Sequence, residues 1–367
     1  SSSAASDVYK RQIVILLIFR VLSMRAVEFK GKKVVLIDQT KLPDRLKTLE
    51  CLTVEDVARA IEGMKIRGAP AVGIAGAMGL AIAALGSKGK TKREILKDLK
   101  RAAARLRRTR PTGADLFTRL ERVVGVAERA KGSAEEVRRA VVMEVKCIVR
   151  EVDETDRTLG TIGAKLIRDN DTVLTHCNAG WLATGGGYGT ALAAVRMAKE
   201  EGKRVRVIAT ETRPLLQGAR LTAWELKRDG INVTVITDNM VGYCLSNRMV
   251  DLVMVGADRI LKDGHVINKI GTYTIAVAAK RHRIPFYVVA PLSTFDPKSE
   301  VREVKIEERD RREIEEIFGK RVLPRGVKTL NPAFDITPPD LVTAIVTERG
   351  IVYPPFRKKI PGILGTP

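Results

Sequence analysis

A chain of 367 residues with 45% hydrophobic residues can bury a sizeable core and make two domains, which excludes a disordered or low-complexity protein. Its formal net charge of +22 favours anionic partners, whether nucleic acid, acidic membrane or phosphorylated metabolites, without choosing among them. Four dispersed cysteines, at 51, 147, 177 and 244, and three separate histidines exclude a disulfide framework and a sequence-local zinc site, and they fit a reduced, cytoplasmic compartment.

Residues 1–23 are expected to be a non-native or disordered leader. Ile13 to Phe19 is apolar but too short to span a bilayer, Arg20 interrupts it, and the natural chain is expected to begin at Met24. Lys33 to Ile37 reads as a strand. Thr53 caps a helix through Lys65, with Val54, Val57, Ala58, Ile61 and Met64 at core-facing spacing. Ala71 to Leu85, almost only Ala, Gly, Ile, Leu and Met, reads as a helix buried on every face. Arg67 stands at its mouth beside the N–H groups of Gly68 and Ala69, either as an ordinary surface charge or as a phosphate contact.

The basic run Lys88 to Arg110 carries an apolar face of Ile95, Leu99, Ala102, Ala103 and Leu106. No aromatic residue interleaves with its charges, so it reads as a solvated helix rather than a nucleic-acid surface. Arg110 precedes the helix-breaking Pro111 and is placed to point into a site. Ser133 and Glu136 form a capping box for a helix through about Val152. That helix is expected to bridge a mainly helical N-terminal domain, 24–150, and a Rossmann-like domain, 151–367.

From about residue 170, strands and helices alternate. Thr172 to His176, Arg204 to Ala209, Asn232 to Thr237, Leu252 to Val255 and Pro285 to Ala290 are expected to form a doubly wound parallel sheet. Ligands bind beyond the carboxyl ends of such strands. The five ends read CNAG, TETRPLLQGAR, DNMVGY, GADRI and PLSTFD, all polar or of special geometry after an apolar strand.

Within them Cys177 is either a reactive thiol or an inert buried one, and Asp258 either an acid or a turn cap. The glycine-rich loop after Cys177 suits an anion at the N-terminus of the following helix, or is a tight turn with no ligand. Gln217 either caps a helix or meets a ligand. Asn268 and Lys269 precede the helix Thr272 to Lys280, where a lysine opposes the helix dipole unless a phosphate binds. His176 alternates away from Cys177, so no Cys/His pair is expected. Glu300 to Gly319 is expected to be a solvated, charged helix, and Thr337, Pro338 and Asp340 to start another.

Taken together, RGAPAVGIAGA, TRPT, THCNAGWLATGGGYGTAL, ETRPLLQGARLTAWEL, DNMVGY, VGADRI, NKIGTYTIAVAAK, IPFYVVAP and NPAFDITPP resemble the methylthioribose-1-phosphate isomerase family over residues 27–353. The wider group includes ribose-1,5-bisphosphate isomerases and regulatory subunits of translation initiation factor 2B. Two departures bear on the substrate's side group: Thr210 stands where the family pattern has aspartate, and a triple glycine follows Trp181.

The resemblance implies isomerisation of S-methyl-5-thio-α-D-ribose 1-phosphate to S-methyl-5-thio-D-ribulose 1-phosphate, in methionine salvage. It implies a cytoplasmic homodimer without metal or other cofactor, acting on a sugar phosphate and on neither nucleic acid nor membrane. Arg67, Gly68, Ala69, Arg110, Gln217, Asn268 and Lys269 would bind substrate, Asp258 would donate a proton and Cys177 would stabilise the transition state. A ribose-1,5-bisphosphate isomerase and a non-catalytic initiation-factor subunit are the alternatives.

Overall fold

The computed structural model describes residues 24–110 and 113–365. The expected leader and the helix-breaking Pro111 lie outside the described residues. The first element is a small antiparallel sheet of β1 (Val27–Lys30), β2 (Lys33–Ile37) and β3 (Thr48–Cys51), of which the sequence marks only the middle strand. Helix α1 (Val54–Glu62) starts at Thr53, whose hydroxyl accepts the Asp56 N–H at 3.1 Å while the Asp56 carboxylate accepts the Thr53 N–H at 2.9 Å.

Helix α2 (Ala69–Gly86) is the centre of this half. It is long and apolar enough to cross a membrane, yet its small residues are buried on every face within one core. Ile95, Leu99 and Leu106 of α3 (Lys92–Arg107) belong to that core, as do Leu116, Leu120 and Val123 of α4 (Ala114–Arg129). The basic helix α3 thus has the expected apolar stripe, and several of its cations are paired: Arg105 with Glu55 and Glu62, Lys100 with Glu128.

Helix α5 (Ala134–Ala164) begins at the Ser133/Glu136 capping box and runs well past Val152, through residue 150 where the domains were expected to meet. Its first half lends Val137, Val141, Val145 and Ile148 to the helical core. Leu159 and Ala164 belong to a different core, on one face of the large sheet.

That sheet has seven strands, in the order β16 (Gly350–Val352), β15 (Ala344–Thr347), β10 (Phe286–Val289), β7 (Leu252–Val255), β4 (Thr172–Thr175), β5 (Arg206–Thr210) and β6 (Asn232–Ile236). Chain order supplies β4 (Thr172–Thr175), α6 (Trp181–Thr184), α7 (Ala191–Glu200) and β5 (Arg206–Thr210); then come a π-turn at Gly218–Thr222, α8 (Ala223–Arg228), β6 (Asn232–Ile236), α9 (Val241–Ser246) and β7 (Leu252–Val255). Next are β8 (Arg259–Leu261), β9 (Val266–Lys269), α10 (Thr272–His282), β10 (Phe286–Val289), β11 (Phe295–Asp296), α11 (Arg312–Glu315) and the hairpin β12 (Glu316–Ile317)/β13 (Lys320–Arg321). The chain ends with β14 (Phe334–Thr337), β15 (Ala344–Thr347), β16 (Gly350–Val352) and α12 (Phe356–Leu364).

The five expected strands all lie in this sheet and run parallel; β15 joins them in parallel and β16 closes the edge antiparallel. Successive strand residues supply opposite faces, Val173 and Leu252 packing under α5 and α7, Leu174 and Val253 under α9 and α10.

Two expectations fail. Glu300 to Gly319 is not a helix: it holds a short 3-10 turn, an extended stretch, the single turn α11 and the start of a hairpin. Its Val304 and Ile306 alternate with Lys305 and Glu307 at strand period, and that local pattern overrides the helix-favouring charges. Thr337 to Asp340 likewise gives the end of β14 and one 3-10 turn, since the β-branched run that follows is drawn into the sheet as β15. A second, four-stranded sheet, β11-β8-β9-β14, stands beyond the carboxyl end of β7 and has no counterpart in the sequence reading.

Candidate active site

A cavity of about 690 Å³ lies between the carboxyl ends of the parallel strands and the N-terminus of α2. Every residue singled out in the sequence as catalytic or substrate-binding lines it, and they come from widely separated parts of the chain. Four of the five strand ends reach it. The exception is DNMVGY after β6, where Asp238 instead accepts the N–H groups of Thr212 and Arg213 at 2.8 and 2.7 Å and so shapes the neighbouring loop.

Cys177 follows β4 in a left-handed conformation, φ +59°, which costs a non-glycine residue of the order of 1–2 kcal/mol. Two hydroxyls hold it there: Thr212 Oγ1 accepts the Cys177 N–H at 2.9 Å, and Thr222 Oγ1 donates to the Cys177 carbonyl at 2.6 Å. The thiol lines the cavity, with Arg67 Nη2 3.9 Å from its sulfur. Arg67 Nη1 also donates to Asn178 Oδ1 at 3.0 Å.

Gly68 has φ +90°, and a Cβ there would sit 2.2 Å from the Ala183 carbonyl oxygen, so only glycine lets α2 start against α6. With Ala69 it presents the first N–H groups of an 18-residue helix to the cavity.

Asp258 leaves β7 and its backbone N–H is fixed by the Ile267 carbonyl at 2.9 Å. Its side chain is open to the cavity but enclosed by protein, and this loss of bulk water raises its carboxyl pKa against the lowering pull of Lys269, Arg67 and Arg110. Lys269 ends β9, donates to the Ala333 carbonyl at 2.8 Å and lies 4.6 Å over the Phe334 ring. Burial lowers its pKa, with Cys177 and Asp258 opposing the shift. Burial likewise lowers the pKa of Arg110, with Glu307 and Asp258 resisting.

Asn268 Nδ2 donates to Thr272 Oγ1 at 3.0 Å. Gln217 is 3% exposed, and among the described residues its Oε1 has no hydrogen-bond partner. An amide oxygen buried at the wall of a cavity without a donor from the protein favours a donor from a ligand.

His176 also lines the cavity, and both of its ring nitrogens are engaged by groups other than Cys177. Its Nε2 lies 2.8 Å from the Ile270 carbonyl, which can only accept, so Nδ1 accepts from Thr210 Oγ1 at 2.6 Å. Burial lowers the histidine pKa and keeps the ring neutral. Thr210, the departure from the family pattern, therefore stands behind the cavity as the partner of this imidazole.

The glycine-rich loop before α7 is a tight turn in which the N–H groups of Gly185, Gly186, Gly189 and Thr190 are paired within the protein. Asp156 Oδ2 accepts Thr184 Oγ1 at 2.6 Å and the Gly189 N–H at 2.9 Å. Nor does the N-terminus of α10 wait for a phosphate: Asp335 accepts the N–H groups of Gly271 and Tyr273 at 2.7 and 3.1 Å.

Glu307, Arg309, Phe295 and Phe334 also line the cavity, and the sequence reading misses all four. The first two lie in the stretch assigned to a solvated helix; the Val304/Ile306 alternation is the signal that would have placed it against a surface.

The profile described as the Initiation factor 2 subunit family matches residues 65–354. A methylthioribose-1-phosphate isomerase of Desulforudis audaxviator is 47% identical over 344 residues, 94% of this chain and 98% of the relative. The crystal structure of 5-methylthioribose 1-phosphate isomerase from Pyrococcus horikoshii is similar with a TM-score of 0.89 at 42% identity, covering 94% of this chain and 98% of its own. That of the delta subunit of translation initiation factor eIF-2B from A. fulgidus has a TM-score of 0.87 at 49% identity, over 94% of this chain and 100% of its own.

Proposed function

The chain belongs to the Initiation factor 2 subunit family and, within it, to the methylthioribose-1-phosphate isomerases, and from that premise we propose the roles of its cavity residues. The protein is an aldose–ketose isomerase of methionine salvage, converting S-methyl-5-thio-α-D-ribose 1-phosphate into S-methyl-5-thio-D-ribulose 1-phosphate. The observation that carries this reading is the shared cavity of Asp258 and Cys177, ringed by Arg67, Arg110 and Lys269.

The substrate's anomeric oxygen carries phosphate, so the sugar cannot open to a free aldehyde. The phosphate is taken by Arg67, Arg110 and Lys269 and by the N–H groups of Gly68 and Ala69 at the start of α2. Asp258, whose carboxyl pKa is raised by its surroundings, donates its proton to the ring oxygen, and the C1–O ring bond breaks with its electron pair moving to that oxygen. Hydrogen then moves from C2 to C1 while the C2 hydroxyl gives its proton to the Asp258 carboxylate, which regenerates the acid, and becomes the ketone. Cys177, within reach of Arg67, stabilises the charge that develops there, and Gln217 and Asn268 hold the sugar hydroxyls. Enclosure by α2 and by the 304–309 segment limits water and strengthens each of these contacts.

Incubating the purified chain with the thioribose phosphate in deuterated water, followed by NMR, tests the reading. Ketose carrying solvent deuterium at C1 identifies proton exchange, ketose without it identifies a hydride shift, and absence of ketose sinks the assignment. Ribose 1,5-bisphosphate assayed alongside separates the sugar-bisphosphate alternative. The delta-subunit relative favours a non-catalytic role, but that role gives no use to a carboxyl of raised pKa sharing one cavity with a strained cysteine.

A cytoplasmic homodimer completes the proposal. Helices α9 and α10, packed on each other, and the turn before α9 expose Met240, Tyr243, Tyr273 and Val277, an apolar surface suited to a second copy. Light scattering that returns a monomer at micromolar concentration would refute it.

A further inference from the structure

Behind the cavity lies a buried ionic cluster that takes no part in the chemistry just described. Glu225 has no exposed surface. Its carboxylate receives four hydrogen bonds: from Asn178 Nδ2 at 2.8 Å, the Trp181 N–H at 3.0 Å, the Leu182 N–H at 3.3 Å and Arg196 Nη2 at 2.8 Å. Every partner is a donor, so the group accepts throughout, as a carboxylate does; burial raises its pKa, with Arg196 and the Asn178 bond opposing that shift. Arg196, 5% exposed, also pairs with Asp229 at 2.6 Å. The loop after Cys177 is pressed against the carboxylate, since a Cβ on Gly180 would lie 2.0 Å from Glu225 Oε2.

Buried ion clusters add little net stability compared with apolar packing of the same volume, so their geometry is the place to look for what they do. The consequence falls on Asn178. Its Nδ2 donates to Glu225 Oε1 and to Thr222 Oγ1 at 3.2 Å, which leaves Oδ1 to accept from Arg67 Nη1 at 3.0 Å. Turning the amide over would set its NH₂ against the guanidinium and its oxygen against a carboxylate, donor facing donor and acceptor facing acceptor. The other arm of the same guanidinium lies 3.9 Å from Cys177 Sγ.

We propose that Glu225 is a positioning residue for the isomerase: acting through Asn178, it locks the Arg67 guanidinium in the one orientation that faces both the substrate phosphate and Cys177. Glu225 does not line the cavity and touches no substrate atom. Its effect is to remove rotational freedom from the arginine before substrate arrives, so the cost of ordering is met during folding rather than at each turnover. The kinetic consequence rests on the isomerase reading; the geometric one does not.

The test is a charge swap along the chain of bonds. Glu225→Gln and Asn178→Asp each break one link. In the double variant the amide introduced at position 225 donates to the carboxylate introduced at position 178, whose second oxygen still accepts from Arg67. We expect each single variant to lose about 10- to 100-fold in kcat, the scale of a small misplacement of a catalytic group, and to bind inorganic phosphate about tenfold more weakly by calorimetry.

The double variant recovers most of both losses while its melting temperature stays no higher than that of the singles. A Glu225→Gln enzyme within twofold of wild type in both readouts, or a double variant no better than the worse single, overturns the proposal. Should Glu225→Gln fail to fold, Asn178→Asp against the double decides it by the same criterion. If the wild type does not turn over the thioribose phosphate but phosphate affinities follow this pattern, the isomerase reading fails and the positioning role stands.

Discussion

Helices α2, α7 and α10 are among those whose N-termini lie near the cavity, and they are closed differently. Just before helix α7, Asp156 takes the Gly189 N–H and the Ala179 carbonyl takes those of Thr190 and Leu192, while at α10 Asp335 takes those of Gly271 and Tyr273. The start of α2 has Arg67 beside it, and among the described residues no carboxylate accepts from Gly68 or Ala69. An anion is drawn to a helix end by partial positive charge and unpaired N–H groups, and a carboxylate from the same chain removes both. A glycine-rich entry is therefore a weaker marker of a phosphate site than an end the protein leaves unsatisfied.

The largest expected effect belongs to the acid that faces the open end. Asp258→Asn should lower kcat by about 10³-fold while substrate still binds, measured by steady-state kinetics and calorimetry; a near-normal rate would remove Asp258 from the mechanism. In the wild type, kcat should also fall as pH rises through the raised pKa of this group, because only the protonated form donates. Gly68→Ala sharpens the comparison by obstructing the open end. Its methyl group meets the Ala183 carbonyl, and kcat/KM should drop by about 10²-fold, the scale of a displaced catalytic contact.

The closed ends should register in stability instead. Burial pushes the Asp156 carboxyl up to about 7 from an ordinary 3.8, so in that window the native state holds a proton the unfolded chain has released. Stability due to this group is present at acid pH and is lost as pH rises from 3.8 towards 7. Asp156→Asn should remove that slope and make the protein about 1–3 kcal/mol more stable than wild type at pH 8, read by urea titration at several pH values. Asp335, pushed up to about 6, has the same sign over a narrower window. Asp335→Asn should flatten stability between 3.8 and about 6 and leave kcat/KM within about tenfold. An Asp335→Asn loss as deep as that of Gly68→Ala would break the distinction between open and closed ends.

Much of the fold was legible because its periodicities are strong and local. The five parallel strands are β-branched runs between helical stretches, the all-small composition of α2 marks a core helix, and the Ser133/Glu136 box marks the start of α5. The small sheet was not legible, because its strands are two to four residues long and the β9–β14 pair joins Lys269 to Phe334 across the chain. Glu307 and Arg309 were missed for a related reason: a dense run of charges outweighed a short Val304/Ile306 alternation.

By itself the sequence determined where the thiol, carboxyl, amide and cationic side chains stand, the strand periodicity that sends them to one edge of a sheet, and the family they resemble. Tertiary structure alone decided which glycine-flanked helix end stays open, how His176 and Thr210 satisfy each other behind the site, and which way the Asn178 amide faces Arg67. The division follows from range. Backbone preference and hydrophobic period act over a few neighbours and can be read along a chain, whereas burial, hydrogen-bond partnership and the resulting shifts in proton affinity depend on groups brought together from distant positions.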